Sequence, residues 1–145
     1  MNTRTGLSRI SFALLLAAGT LLAGCAMYDR MMGRSLQLSG SNEVPAVQTS
    51  ASGSGRITVN DDRTVSGSIS VSGMKPTAAH IHSGGPRENG PVIVPLTKTS
   101  DTGFRVPDGA KLTEAQYNAY KAGNLYVNVH SAAHKGGEVR AQLKP

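Results

Sequence analysis

The sequence is poor in the residues on which several classes of protein depend. It has one cysteine, no tryptophan and 4% aromatic residues in a chain of 145. A single cysteine excludes an intrachain disulfide. The interleaving of aromatic and basic residues typical of single-strand binders is absent, so no nucleic-acid partner is expected. There is no Gly-X-Ser-X-Gly elbow and no pair of carboxylates around an evident cleft, which argues against serine hydrolase and glycosidase chemistry.

Chain length and glycine content indicate the broad class of fold. The 145 residues suit one domain, because two would each lie near the size below which one hydrophobic core no longer suffices. Glycine occurs 17 times beside abundant Ser, Thr and Val, and 39% of residues are hydrophobic. This composition favours short strands and tight turns over a helical bundle or a disordered chain.

The long apolar run stands at the start of the chain. Arg4 and Arg9 precede the stretch FALLLAA, and small residues follow it up to Cys25. This layout is typical of a secretory signal peptide, and the run is short for the ~20 residues that a spanning helix needs. We therefore expect residues 1–24 to be a signal peptide that is removed.

The end of this segment resembles the lipobox of bacterial lipoproteins. The matching residues are Leu22-Ala23-Gly24-Cys25. The resemblance implies cleavage before Cys25, acylation of that cysteine and a membrane attachment through its lipid, with 25–34 as lipidated cysteine and tether. Ala26 stands where an Asp tends to retain lipoproteins at the inner membrane of didermal bacteria, so the resemblance also implies the outer membrane, facing the periplasm.

From Ser35 onward, apolar and polar residues alternate with a period of two between turn signals. A helix is predicted over 113–122, because Thr113 and Gln116 have the spacing of a capping box and Gly123 provides a stop. We expect an all-β fold for 35–145: a Greek-key antiparallel β-sandwich of about seven to eight strands with this one short helix inserted. The predicted strands cover 35–40, 53–60, 63–73, 78–83, 91–96, 102–107, 124–130 and 138–143.

The four histidines lie in two short segments. His80 and His82, at positions i and i+2 of a strand, point to the same face, about 7 Å apart. In the strand of 124–130, Leu125, Val127 and Val129 take one face and leave Tyr126, Asn128 and His130 on the other. If the two strands lie together, three imidazoles converge. A site of this kind suits Cu(II) or Zn(II), and surface or hydrogen-bonded histidines are the alternative.

Three further residues have two interpretations each. His134 lies in a turn and is a candidate fourth ligand. Glu43, in Asn-Glu-Val-Pro, is either a loop carboxylate that accepts backbone N–H bonds, which we favour, or a ligand or base. Arg140 projects to the same face as Glu138, which favours an ion pair along the strand over the guidance of an anion.

Four ordered motifs together resemble the CHRD domain, which is named for its occurrence in chordin. They are Asn42-Glu43-Val44-Pro45, Ala79-His80-Ile81-His82, Gly90-Pro91-Val92, and Leu125 to Ser131 with Gly136-Gly137-Glu138-Val139-Arg140. The closing Arg-Ala-Gln-Leu differs slightly from a usual Arg-Gly-Gln-Leu. The resemblance implies a β-sandwich in a secreted or lipidated bacterial protein, with no assigned activity.

A fainter resemblance is to copper-zinc superoxide dismutase, in which a His-X-His strand and a later Val-Val-His strand supply copper ligands. His80, His82 and His130 occupy comparable places in the pattern. There is no second cluster for zinc, no disulfide pair and no identifiable bridging histidine.

These observations leave three functional hypotheses. The first is a non-enzymatic lipoprotein that binds a transition metal, with copper favoured and zinc as the alternative. The second is a module that presents loops 83–91 and 131–137 to an envelope protein or polymer, with incidental histidines. The third, a superoxide dismutase-like copper enzyme, is the one enzymatic hypothesis that the pattern leaves.

Overall fold

The computed structural model describes residues 34–145. The predicted signal peptide, Cys25 and the predicted tether up to residue 33 lie outside the described residues. The elements are β1 (Ser35–Ser39), a 3-10 helix (Gly40–Asn42), β2 (Ser52–Val59), β3 (Val65–Ser72), β4 (Pro76–Ser83), β5 (Val92–Pro95), β6 (Thr97–Lys98), β7 (Gly103–Arg105), α1 (Glu114–Lys121), β8 (Leu125–Ser131) and β9 (Val139–Leu143).

The strands form one antiparallel sheet that nearly closes on itself. The order is β5-β4-β8-β9-β1-β2-β3-β7-β6, so β5 and β6 lie at opposite edges. Only Leu96 separates these two strands in sequence, and its N–H donates to the carbonyl of Ala79 at 2.9 Å. The predicted all-β class with one short helix is confirmed. The described sheet has nine strands rather than seven or eight, because the two-residue β6 is too short to leave a periodic pattern.

Local sequence explains the turn and the helix that were predicted. The β2–β3 hairpin turns at Asp61-Asp62, where the Asp62 carboxylate accepts from the N–H and hydroxyl of Thr64. Thr113 caps α1: its hydroxyl accepts from Gln116 N at 3.2 Å, and its own N–H donates to Gln116 Oε1 at 2.8 Å. Among the described residues, no helix is long and apolar enough to cross a membrane.

The strands β4, β8 and β9 have an apolar core on one face and buried polar side chains on the other. All seven residues of β8 are buried. Leu125, Val127 and Val129 are each 0% exposed and pack in the apolar core, where burial of one such side chain contributes about 1.5–3 kcal/mol. Tyr126 and Asn128 are 2% exposed on the opposite face, which is covered by loops. A sheet face that is usually left to solvent is therefore a buried polar layer in this protein, here called the outer layer.

Candidate metal centre

Strand pairing brings the three strand histidines together. β4 and β8 are neighbours, with Ala78 opposite His130 and His80 opposite Asn128. His80, His82 and His130 consequently share the outer face, while Ala79 and Ile81, each 1% exposed, face the core. One ring nitrogen from each histidine lies within 4.8 Å of the other two. The predicted convergence of three imidazoles is thus present.

The rings are close enough to interact directly. His80 Nδ1 and His130 Nε2 are 3.0 Å apart, at hydrogen-bond distance. The ring centroids are separated by 4.7 Å for His80 and His130, 5.6 Å for His80 and His82, and 6.1 Å for His82 and His130. Side chains from two strands therefore form one cluster rather than separate surface groups.

Backbone carbonyls fix the orientation of two of the rings. His130 Nδ1 lies 2.9 Å from the carbonyl of Lys135, and His82 Nδ1 lies 2.9 Å from the carbonyl of Gly90. Each Nδ1 must carry the hydrogen, because a carbonyl oxygen only accepts. In the neutral form of either ring, Nε2 then carries the lone pair. A hydrogen bond from the remote ring nitrogen to a carbonyl is the usual support of a metal-ligating histidine.

The environment favours the neutral form of His80 and His82. Burial lowers the pKa of His80, and the nearby His130 and His82 lower it further by charge repulsion. Burial also lowers the pKa of His82, and the Gly90 carbonyl and the Asn128 side chain offset this only in part. Metal binding requires the deprotonated nitrogen, so both shifts favour the form that can bind a cation.

The His82 ring stacks on Tyr126, and Tyr126 in turn stacks on Arg140. The Tyr126 ring lies parallel to the His82 ring, at 4.8 Å between centroids and an angle of 4°. The guanidinium carbon of Arg140 lies 3.4 Å from the Tyr126 ring centroid. Because both groups lie over the same ring, they occupy opposite faces of it. The Tyr126 hydroxyl also accepts from Gly90 N at 3.2 Å, so Gly90 is bound at both its N–H and its carbonyl.

The structure does not place Arg140 in the predicted ion pair along the strand. Arg140 is 1% exposed, and its guanidinium donates to the carbonyls of Gly85 and Glu88 at 2.7 and 3.0 Å and to Asn89 Oδ1 at 3.2 Å. Glu138 instead accepts from the Thr49 hydroxyl at 2.7 Å. The predicted ion pair is wrong because loop 84–90 folds over this face of β9 and provides the acceptors of the guanidinium.

The favoured interpretation of Glu43 is also wrong. Its side chain is 6% exposed, and Oε1 has no hydrogen-bond partner in the part of the chain that is described. Burial raises its pKa to about 7, although Arg140 and the Asn128 side chain act in the opposite direction. Glu43 is not among the three residues of the histidine cluster. It is a desolvated carboxyl group within the outer layer, not a loop carboxylate that accepts backbone N–H bonds.

Gly137 closes the outer layer over Glu43. Its φ of +130° lies in the region that favours glycine. A Cβ at this position would meet Glu43 Oε1 at 2.5 Å and would also overlap Asn128 Nδ2. The Gly-Gly-Glu segment therefore allows the backbone to approach a buried carboxyl and a buried amide together.

His134 lies apart from the three clustered rings. It occupies the turn after β8, where its N–H donates to the Ser131 hydroxyl and its carbonyl accepts from Gly137 N. The group of nitrogens within 4.8 Å contains His80, His82 and His130 only, among residues 34–145. A fourth ligand from His134 stays a prediction.

Sequence reasoning did not single out Tyr126 and Asn128 as parts of the site. Their signal was present in the alternation of NLYVNVH, which already placed both on the face of His130. The burial of that face could not be read from the pattern, because loops distant in sequence cover it.

The comparisons with known proteins give one match. The family model of the CHRD domain matches residues 34–143. No curated protein matches the chain, and no solved structure matches it.

Proposed function

The chain belongs to the CHRD domain family, and we propose that it is a lipid-anchored protein of the cell envelope that binds a transition-metal ion, copper in preference to zinc. His80, His82 and His130 are the proposed ligands. The CHRD domain is not a known enzyme family, and the role that we propose is to buffer or trap the ion without catalysis.

One observation carries the proposal: three imidazoles converge on one face of the sheet. Their ligand nitrogens lie within 4.8 Å of one another, and two Nε2 lone pairs are fixed by Nδ1–H bonds to Gly90 and Lys135. Without a cation, His80 donates from Nδ1 to His130 Nε2. To bind an ion through Nδ1, His80 only has to move its proton to Nε2, so no net protonation change is required.

The spacing of the hydrogen-bonded pair is compatible with copper. Two nitrogens 3.0 Å apart, each about 2.05 Å from one ion, subtend about 94° at that ion, whereas a tetrahedral ion would hold them about 3.3 Å apart. A right angle is typical of tetragonal Cu(II). All the separations lie within 4.8 Å, against roughly 4.1 Å for two opposite ligands, so a ring movement of at most about 0.7 Å brings the three nitrogens to one ion.

The proposed anchor rests on the sequence before the domain. Leu22-Ala23-Gly24-Cys25 after an apolar run supports acylation of Cys25 and, with Ala26 next, the outer membrane facing the periplasm. A copper-binding domain on a short tether would then sample the periplasm beside the membrane. Replacement of Cys25 by Ser should abolish palmitate labelling and release the protein from the membrane fraction. Retention of both would contradict the proposed anchor.

The central experiment measures metal binding to the full chain. Cu(II) and Zn(II) are titrated by calorimetry, and thermal melting is followed with and without each ion. The parent should bind one Cu(II) ion with a rise in melting temperature, since an ion that binds the folded state stabilises it by mass action. A variant with His80→Ala, His82→Ala and His130→Ala should lose both effects.

Two controls sharpen this result. His134→Ala removes a histidine outside the cluster and should bind Cu(II) as the parent does; weaker binding would make His134 a fourth ligand. Gln142→Ala removes an amide of the outer layer whose hydrogen bonds go to Arg140, Gly84 and Gly123 and not to the three rings. If the parent and the triple variant respond alike to Cu(II), the metal proposal fails, and an interaction module with loops 83–91 and 131–137 takes its place. Superoxide dismutation by the Cu(II)-loaded protein would overturn the non-enzymatic role.

A further inference from the structure

Asn128 occupies the centre of the outer layer. It lies opposite His80 on β4 and opposite Arg140 on β9. His130 follows two residues later on the same face of β8, and His82 lies diagonally across. Neighbouring positions of this kind are about 4.5–8 Å apart in a sheet. Asn128 is therefore the side chain of β8 that all three proposed ligands surround.

The amide of Asn128 has a defined orientation. Its Nδ2 group donates to the carbonyl of Gly136 at 3.4 Å and lies beside the Glu43 carboxyl, which interacts with it. The oxygen Oδ1 is at the other end of the same planar group. Asn128 is 2% exposed, and Oδ1 has no hydrogen-bond partner among the described residues.

A second buried atom in the same place also has no partner. His82 is 8% exposed, and its Nε2 makes no hydrogen bond within residues 34–145. The Asn128 amide is nevertheless close enough to raise the pKa of that ring. With Nδ1–H directed at Gly90, the neutral ring presents a lone pair from Nε2 beside the lone pairs of Asn128 Oδ1. Two buried acceptors without a donor destabilise the fold, because each has lost its hydrogen bonds to water.

A cation bound between His82 Nε2 and Asn128 Oδ1 would give both acceptors a partner. We propose that Asn128 Oδ1 is an oxygen ligand of the ion that His80, His82 and His130 bind, and that Glu43 and Gly136 are positioning residues that hold the amide in this orientation. The resulting set of three nitrogens and one oxygen suits tetragonal Cu(II). This inference rests on the proposed function, because it adds a fourth ligand to the same site.

Two substitutions separate a ligand from a structural residue. Asn128→Ala removes Oδ1 and should weaken Cu(II) binding about 10- to 100-fold. Asn128→Asp keeps Oδ1 but replaces the Nδ2 group by a second oxygen that faces Glu43. In the metal-free state this variant should melt at a lower temperature than Asn128→Ala, because two carboxyl groups then share a buried site. Its Cu(II) affinity should nevertheless equal or exceed that of the parent.

The measurements are Cu(II) affinity, metal-free melting temperature and the number of exchangeable deuterons at Cu(II) by pulsed paramagnetic resonance in deuterated water. The deuteron count should rise in Asn128→Ala, where water replaces the amide oxygen, and stay at the parental value in Asn128→Asp. Gln142→Ala is the matched control. Its amide anchors the same layer through the carbonyls of Gly84 and Gly123, so it should lower the melting temperature and leave affinity and deuteron count unchanged.

The outcomes distinguish this inference from the proposed function. Parental Cu(II) affinity and deuteron count in Asn128→Ala, with binding still lost in the triple histidine variant, would overturn the role of Asn128 alone. The same holds if affinity follows metal-free stability and Asn128→Asp binds worst. If the triple histidine variant binds as the parent does, the proposed function itself fails. Should Asn128→Ala not fold, Asn128→Asp still decides, because retained affinity at reduced stability is the expected result.

Discussion

Glu43→Gln should make the protein more stable at neutral and alkaline pH, in proportion to the ionisation that it removes. The Glu43 carboxyl has a pKa raised from 4.5 to about 7, because ionisation would place a charge at a site that is 6% exposed. Glutamine has the same shape and cannot ionise. The substitution therefore isolates the cost of charging this one group.

The sign and size of this stability difference follow from the difference between the pKa values of Glu43 in the folded and unfolded states. Below pH 4.5 the carboxyl is protonated in both the folded and the unfolded state, so parent and variant differ little. Between pH 4.5 and about 7 the unfolded chain loses its proton while the folded chain keeps it, and the parent loses stability as pH rises. The interval between the two pKa values corresponds to about 3 kcal/mol, at about 1.4 kcal/mol for each pKa unit. Above pH 8 we therefore expect Glu43→Gln to exceed the parent by up to about 3 kcal/mol.

The assay is urea unfolding of both proteins from pH 4.5 to 8.5 in the presence of a chelator. Histidine ionisation opposes the trend, because the lowered pKa values of His80 and His82 reduce stability as pH falls below 6.5. This contribution is common to both proteins and cancels in the difference between them. Glu138→Gln is the matched control, since this buried glutamate accepts from Thr49 and should bring no gain. A difference between Glu43→Gln and parent that does not change with pH would refute the reasoning.

The remaining predictions concern how the outer layer and the helix are held. Gly137→Ala should lower the free energy of unfolding by at least about 2 kcal/mol, since its φ is +130° and its Cβ would overlap buried groups; Gly136→Ala, with open space around its Cβ, should change it by less than about 0.5 kcal/mol. Arg140→Met should lower the free energy of unfolding by more than about 3 kcal/mol. It should also speed hydrogen exchange in loop 84–90, because the carbonyls of that loop lose their donor. Unchanged exchange would contradict this role. Thr113→Ala should lower the free energy of unfolding in urea by about 1 kcal/mol, because the helix loses its N-cap.

The predictable part of this fold is the part that local periodicity determines. Period-two alternation located β1 to β5 and β7 to β9, and the spacing of Thr113 and Gln116 located α1. The same alternation put His80, His82 and His130 on the faces that they occupy. These features depend on neighbours within a few residues, which the sequence displays directly.

The unpredicted part depends on contacts between distant segments. Alternation within a strand does not show which strands pair, and the pairing of β4 with β8 brings His80 and His130 to 3.0 Å. The interpretations of Glu43 and Arg140 failed for a related reason. Loop 84–90 covers Arg140, and the 136–137 backbone covers Glu43. Burial of a charged residue by a remote loop leaves no periodic trace in its own strand.

The buried polar layer gives the histidine cluster a property that surface histidines lack. Each loop that covers the layer also fixes a ring: the carbonyl of Gly90 orients His82, and the carbonyl of Lys135 orients His130. Arg140 holds loop 84–90 against the sheet through two further carbonyls. Folding therefore orients the rings of the proposed ligands, and little rotamer entropy would remain to be lost on binding a cation. Affinity for a cation should thus depend on the positions of the Gly90 and Lys135 carbonyls, which provide no ligand themselves.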